Sequence, residues 1–295
     1  MARSANVPSS LRNGPFRGSE AVRRGLLTKR QLRSRPWCRL FHDVYVHEAV
    51  PMTHAVRCGA VEVFLPSGAA ISGRSAAFLH GADVLERDGP VEVTLPPQVW
   101  MRKQPGIAVV HSQLCSRDIV SRGGIRTTTP VRTAFDVARR SRLEDAVVAV
   151  DALLMHCLLT LDEVAAYAKD GRASWHGVAR VSPVLSLAAV GAESPMESRL
   201  RLVLARGGLP PPSIQHQVWN DAGICVARLD LAYVRARLGI EYDGGCHWEP
   251  TAVRRDLLRQ NALRALSWTL LRFTAEDVLR HPQRLVAQVR SALQT

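Results

Sequence analysis

Hydrophobic and polar positions alternate with two distinct periods along this chain, and the change of period marks its organisation. A period of two runs through Val91-Glu92-Val93-Thr94-Leu95 and through Gly106-Ile107-Ala108-Val109-Val110-His111, predicting two strands. Helical spacing follows over about 130–149 and 160–168, the first introduced by Thr129 as cap and Pro130 at the first helical position. From Ser194 onward the order becomes helix 195–206, strand near 214–219, strands 226–233 and 238–243, helix 251–266, strand 268–273, then helices 275–280 and 283–293. Gly207-Gly208 and Pro210-Pro211-Pro212 stop the first of these helices. Near the start, Ser19–Gly25 predicts a short helix with a serine cap, and Thr28-Lys29-Arg30-Gln31 begins a second with a capping box. Trp37–Val46 then alternates like two strands around a tight turn at His42-Asp43.

At 295 residues, 46% of them hydrophobic, the chain is long enough for more than one core. Three regions are expected: a first domain over 1–85, an α+β region over 86–190 acting as scaffold or linker, and a C-terminal domain over 194–295, with a hinge expected at 191–193. The fold class is therefore α/β in the broad sense, an α+β multi-domain chain. The formal net charge of +13 points to a polyanionic partner, with nucleic acid ahead of an anionic membrane surface. That charge is uneven: residues 1–50 hold ten basic against three acidic side chains, 194–295 hold fourteen against nine, and the middle is close to neutral. Two separate regions can thus meet a polyanion. The six cysteines are scattered without a C-x-x-C pair, which argues against a zinc knuckle or a disulfide framework and for a reducing cytoplasm. No apolar run approaches the roughly 20 residues of a membrane helix, and no apolar segment follows the charged start as in a secretory signal.

The order helix, turn, basic helix, hairpin in the first 50 residues is that of a winged helix-turn-helix. Lys29, Arg30, Arg33 and Arg35 are its candidate DNA contacts, against the alternative of an ordinary solvated basic helix. The run LLTKRQLRSRPWCRLFHDVYV resembles the N-terminal domain of abortive-infection type IV antitoxins, and the resemblance extends over about residues 14–85, including ISGRSAAFLHG. The glycine usual at the tip of that wing is Asp43 here, a residue that also accepts left-handed turn geometry. Membership of that group would imply DNA binding and a toxin or other protein partner.

The chemistry concentrates in the C-terminal region. In VARLDLAY, period two places Arg228 and Asp230 on one face, with Leu229 and Leu231 on the other. In LGIEYD the same period places Glu241 and Asp243 opposite Leu238, Ile240 and Tyr242. If the two strands pair as a hairpin, Asp230, Glu241 and Asp243 share one face at one end of a sheet. Carboxylates crowded together need a cation, and oxygen-only donors suit Mg2+ or Mn2+. Structural alternatives stand beside each: Glu197 belongs to a capping box with Ser194, Asp230 can pair with an arginine, and Asp243-Gly244 is turn chemistry.

The motifs SPMESRLRLVLARGGLPPP, ARLDLAYVRARLGIEYDGGCH and RRDLLRQNALRALSWTLLRFTAEDV together resemble the endonuclease-like domain of unknown function related to very-short-patch repair endonucleases, within the PD-(D/E)XK nuclease superfamily. The resemblance covers about residues 194–293. It implies a restriction-endonuclease-like mixed sheet flanked by helices, with Mg2+ (or Mn2+) bound by Asp230, Glu241 and Asp243, and Glu197 and His247 as further catalytic residues. It also places Asp256 and Arg259 in a recurrent D-x-x-R pattern near the site. The lysine of the D/E-x-K motif is replaced by Asp243, which leaves His247 as the candidate for proton transfer. The combined expectation is a cytoplasmic DNA-binding protein with a Mg-dependent endonuclease domain. The alternative is an antitoxin-type transcriptional regulator that only binds nucleic acid or a partner.

Overall fold

The computed structural model describes residues 7–85, 89–156, 159–245 and 250–294. They group into two units, 1–137 and 138–295, so the segment 86–190 is divided between them.

In the first unit, helices α1 (Gly18–Arg23) and α2 (Lys29–Leu32) and strands β2 (Trp37–Phe41) and β3 (Val44–His47) follow the predicted order, preceded by a short strand β1 (Phe16–Arg17) that was not predicted; Ser19 does not cap α1 but donates to Asp43. The strands form a sheet ordered β1-β3-β2. Thr28 and Gln31 make the expected reciprocal capping box at α2. Asp43 occupies the left-handed region at the β2–β3 turn with φ of 61°, as the turn requires. Leu11, Ala21, Leu27 and Leu32 pack into a small core closed by Phe16, Trp37 and Tyr45.

The same unit continues with α3 (His54–Glu62), β4 (Ala70–Ile71), α4 (Gly73–Leu79), β5 (Val91–Leu95), β6 (Ile107–His111), β7 (Ile119–Arg122) and β8 (Ile125–Thr128). These strands form a sheet ordered β6-β5-β4-β8-β7. β5 and β6 fall where period two put them, and they pair in parallel. The β7–β8 hairpin turns on Gly123 and Gly124, both at positive φ. Helix α5 (Pro130–Arg140) begins at the expected cap and proline, but the long helix read over 130–149 is two. Its second part, α6 (Leu143–His156), starts afresh with Ala146 N–H on the Arg142 carbonyl. The Ser141 carbonyl between them is taken by the Arg180 guanidinium instead of a helical N–H.

In the second unit α6 is followed by α7 (Leu161–Lys169), α8 (Val181–Leu187) and α9 (Pro195–Arg206). Next come β9 (Ser213–Trp219), β10 (Cys225–Tyr233), β11 (Leu238–Asp243), α10 (Pro250–Ala265), β12 (Thr269–Thr274), α11 (Ala275–Arg280) and α12 (Pro282–Gln294). The sheet order is β12-β11-β10-β9, antiparallel from β9 to β11 and parallel between β11 and β12. A mixed sheet of this kind needs one crossover, and α10 supplies it. Each face has its own core. Leu231, Tyr233, Leu238, Ile240 and Phe273 pack on Leu200 and Leu204 of α9 and on side chains of α11 and α12. Leu229, Ala232 and Val218 pack on Leu263 of α10. Gly239 sits in the middle of this sheet because a β-carbon there would lie 2.9 Å from a Leu229 methyl and 3.1 Å from one of Leu270.

One buried ionic contact ties α9 to the helices before it. Asp151 of α6, fully buried, accepts from Arg201 Nη2 at 2.6 Å, Ser198 Oγ at 2.7 Å and Ala189 N at 2.8 Å. Removing the carboxylate alone leaves a guanidinium stranded in the interior. Asp151→Ala should therefore destabilise the second unit by about 3–5 kcal/mol, whereas the double change Asp151→Leu, Arg201→Met should cost far less. The shift of the urea-unfolding transition of each variant measures the difference.

Candidate active site

Asp230 and Glu241 come from neighbouring antiparallel strands. Leu231 pairs with Ile240 and Ala232 with Gly239, so continuing the register one step sets Asp230 opposite Glu241. The hairpin needed to bring these two acids together is present. The expected alternation along β10 is not kept, however. Leu229 packs with Ala232 and Leu263 on the α10 face, while Leu231 packs on the α9 face, so the strand changes parity at Asp230. Opposite this point on β9, Gln215 has a φ of 51° and the ladder is interrupted. Asp230 repairs the break with its side chain: Oδ2 accepts the Tyr242 backbone N–H at 2.9 Å.

Burial pushes the Asp230 carboxyl up to about 6, helped by the negative charges of Glu197 and Glu241 and opposed by the Tyr242 N–H and by Arg259. Glu197 approaches from the first turn of α9. Its Oε2 accepts from Gln215 Nε2 and from the Glu193 backbone N–H, each at 2.9 Å, so the side chain leaves the capping role and faces the sheet. Ser194 still caps the helix through Glu197 N–H.

Glu241 is held from two sides. Arg259 of α10 donates to both its oxygens, Nη1 at 2.5 Å and Nη2 at 2.8 Å, and Arg272, its register partner on β12, lies 3.4 Å from Oε2. Asp256 completes the set by accepting from Arg259 at 3.1 Å, from Arg272 at 2.8 Å and from Gln260 at 3.0 Å. The guanidinium groups, Arg272 foremost, hold the Asp256 carboxyl down at about 2. Glu241 in turn leads the effects that raise Arg259 above its ordinary value. Arg272 was not singled out from the sequence; an arginine next to the buried Phe273 within a strand is the signal that could have found it.

Asp243 stands at the end of β11, half-buried, and its Oδ1 accepts the N–H of Gly245 at 3.1 Å, which is turn chemistry. It is not among the charges acting on Asp230. His247 lies outside the described residues. The structure thus gathers Asp230, Glu197 and Glu241, with Arg259, Arg272, Asp256 and Gln215 around them. Among the described residues, no three acid, imidazole or thiolate groups are arranged to hold one metal ion. The negative charge of Glu197 acts on Asp230, and each of the two has one carboxylate oxygen free of hydrogen bonds from described residues, so these are the acids left to meet a hard cation. Glu241, saturated by arginine, does not contribute a free oxygen of this kind. Lys29, Arg30, Arg33 and Arg35 are all exposed in the first unit, Arg35 lying 3.9 Å from Glu48. No helix of the described residues is long and apolar enough to cross a membrane.

Residues 213–293 match the family model REase_MTES_1575, which makes the C-terminal domain restriction-endonuclease-like. The match spans β9 to α12, and so contains Asp230, Glu241 and Asp243 but leaves Glu197 outside. Over 254 residues the chain is 33% identical to the uncharacterized proteins MT2308 and Rv2248 of two Mycobacterium tuberculosis strains, covering 85% of this chain and 90% of theirs. The chain belongs to the family of these mycobacterial proteins. An uncharacterized protein of Haemophilus influenzae is 33% identical over 61 residues, 21% of this chain and 50% of that one. A crystal structure of the RV2827C protein from Mycobacterium tuberculosis aligns with a TM-score of 0.43 at 15% identity, over 70% of this chain and 84% of that one.

The raised proton affinity of Asp230 has a direct consequence. Its folded carboxyl titrates near 6 against an ordinary value of 3.8, so folding favours the protonated form. Stability from this group is full below about pH 4 and falls as pH rises to about 6. Asp230→Asn keeps an acceptor for Tyr242 N–H without the charge. It should be more stable than the wild type above about pH 6, by about 1–2 kcal/mol after allowing for partial exposure, and lose that advantage below about pH 4. Urea unfolding at the two pH values checks both parts.

Proposed function

We propose that the protein is a DNA-binding, metal-dependent endonuclease whose C-terminal domain hydrolyses phosphodiester bonds. The observation that carries this reading is Asp230: a half-buried carboxylate with a raised proton affinity, beside Glu197 and Glu241, at the point where β10 and β11 part. Perturbed carboxylates of this kind concentrate at functional sites. The restriction-endonuclease-like match over the same strands supports the choice of phosphodiester chemistry.

Asp230 and Glu197 would hold Mg2+ or Mn2+, with Asp243 as an outer acid. When bound, such a cation draws charge from a scissile phosphate and acidifies water. The chain supplies the rest. Asp230 must be deprotonated, which neutral pH ensures with a raised value near 6. Arg259 and Arg272 fix Glu241 so that its charge stays beside Asp230 without competing for the same oxygens. Gln215 orients Glu197 through Nε2. His247 is the proposed proton-transfer group. In the first unit, Lys29, Arg30, Arg33 and Arg35 are the proposed DNA contacts of a winged helix, whose elements the order α1, α2, β2, β3 supports.

A second reading has its own support: Glu241 is already neutralised by two guanidinium groups. A nuclease-like fold with its acids satisfied internally would bind nucleic acid or a partner protein without cutting, as an antitoxin-type regulator does.

Nicking of supercoiled plasmid with Mg2+ or Mn2+ separates the two. Wild type should nick, and Asp230→Ala should be slower by at least about 100-fold. Mn2+ binding read by thermal shift should weaken as pH falls below about 6, because protons compete for Asp230. No nicking together with salt-dependent DNA binding gives the regulator reading the case; nicking that survives Asp230→Ala sinks the proposed site.

A further inference from the structure

Trp100 is 77% exposed, more than any other large hydrophobic side chain of the described residues. A single exposed apolar residue ordinarily needs no explanation. This one is held out by a fixed backbone. The next residue, Met101, is 9% exposed and belongs to the core under β5. Three residues further, Gln104 Oε1 accepts the His42 backbone N–H at 2.8 Å and fastens the segment to the β2–β3 turn. Before it, Val99 N–H bonds the Pro96 carbonyl at 3.0 Å and closes a turn. The indole is therefore presented at low entropic cost, as a stacking platform has to be.

Positive charge outweighs negative around it, with Arg17 and Arg102 beside the single carboxylate of Asp43. Arg17, Arg102 and Lys103 are exposed, and among the described residues none of them has a carboxylate partner. Arg17 and Arg102 line, with Trp100, His42 and Phe64, an open cavity of about 390 Å³ beside the turn. The one acid there, Asp43, is already committed: it accepts from Ser19 N at 2.8 Å and from Ser19 Oγ at 2.5 Å. A flat, exposed aromatic ring flanked by two cations without carboxylate partners matches a nucleic-acid strand with an unstacked base, where the ring takes the base and the cations take the phosphates. A buried-anchor protein contact would instead place the aromatic in a pocket with few charges.

We infer that this cavity is a second nucleic-acid contact of the first unit, in which Trp100 stacks on an unpaired base while Arg17 and Arg102 of the lining, and the exposed Lys103 next to Arg102 in sequence, follow the backbone. The inference shares with the proposed function the premise that the first unit meets DNA, but it uses other residues and predicts that Trp100 contributes to single-strand affinity and not to duplex affinity. It requires no cleavage.

Fluorescence anisotropy of the full chain on a labelled oligothymidylate of about 20 nucleotides, and on a duplex of similar length, tests it at low salt. Trp100→Ala should weaken single-strand binding by about 5- to 150-fold and Trp100→Phe far less. The slope of affinity against salt should be unchanged in Trp100→Ala, since no phosphate contact is lost. Arg102→Gln with Lys103→Gln should reduce that slope by about 1–2. Single-strand affinity unaffected by Trp100→Ala overturns the proposal, as does an acidic polypeptide that displaces the oligonucleotide from wild type but not from Trp100→Ala. Lys29→Gln and Arg30→Gln, read on the duplex, report on the proposed function alone, so either idea can fail while the other stands. Absence of binding to both oligonucleotides at low salt overturns both.

Discussion

The grip of Arg259 and Arg272 on Glu241, from two sides, is the contact on which the C-terminal site depends. Glu241 is 7% exposed, in the central strand of its sheet, and an unpaired carboxylate there would carry a desolvation cost of several kcal/mol. Arg259 answers it with two parallel hydrogen bonds and Arg272 with a third approach, while Asp256 neutralises the surplus on the two guanidinium groups. Four alternating charges thereby link β11, β12 and α10. The pairing also sets the field at Asp230: with Glu241 fixed in place, its charge and that of Glu197 persist next to a carboxyl that burial already disfavours in its ionised form. The same salt bridges that steady the fold thus leave one acid less satisfied than its neighbours.

Much of this was legible in the residues. The strands over Val91–Leu95 and Leu238–Asp243, the capped helix from Pro195 and the left-handed Asp43 all follow from period, caps and turn chemistry, which are local. The break between α5 and α6 was not; the Ser141 carbonyl at that break is met by Arg180, distant in sequence. The parity change at Asp230 escaped as well: period two describes an undisturbed strand, and the ladder is interrupted opposite this point at Gln215. Asp230 and Glu241 could be singled out as acids in apolar strands, yet which acid completes the cluster could not. Sequence spacing favoured Asp243, two residues from Glu241, whereas the fold brings in Glu197 from a helix forty-odd residues earlier and turns Asp243 toward its own loop.

The first unit shows the complementary case, in which charge rather than periodicity carries the information. Its short helices bury little surface, and Leu11, Ala21, Leu27 and Leu32 suffice to fix them against the small sheet. What remains outside is basic: the exposed side chains of Lys29, Arg30 and Arg33 have no carboxylate neighbours among the described residues. Such an excess is unfavourable in isolation and is relieved by a polyanion, which links the composition of the chain to its surface without reference to any particular sequence of DNA.

The parallel pairing of β11 with β12 also bears on when the site comes into being during synthesis. Antiparallel neighbours can zip from a tight turn, but a parallel pair must wait for the intervening crossover to emerge and fold back, a closure that is slow because it is non-local. Glu241 leaves the ribosome well before Arg259 and Arg272. Any chain that ends short of residue 272 lacks both the second guanidinium and the strand that carries it, and cannot hold Glu241 between two positive charges. The charge pattern around Asp230 is thus a property of the finished domain, out of reach of incomplete chains that would otherwise carry the same acids.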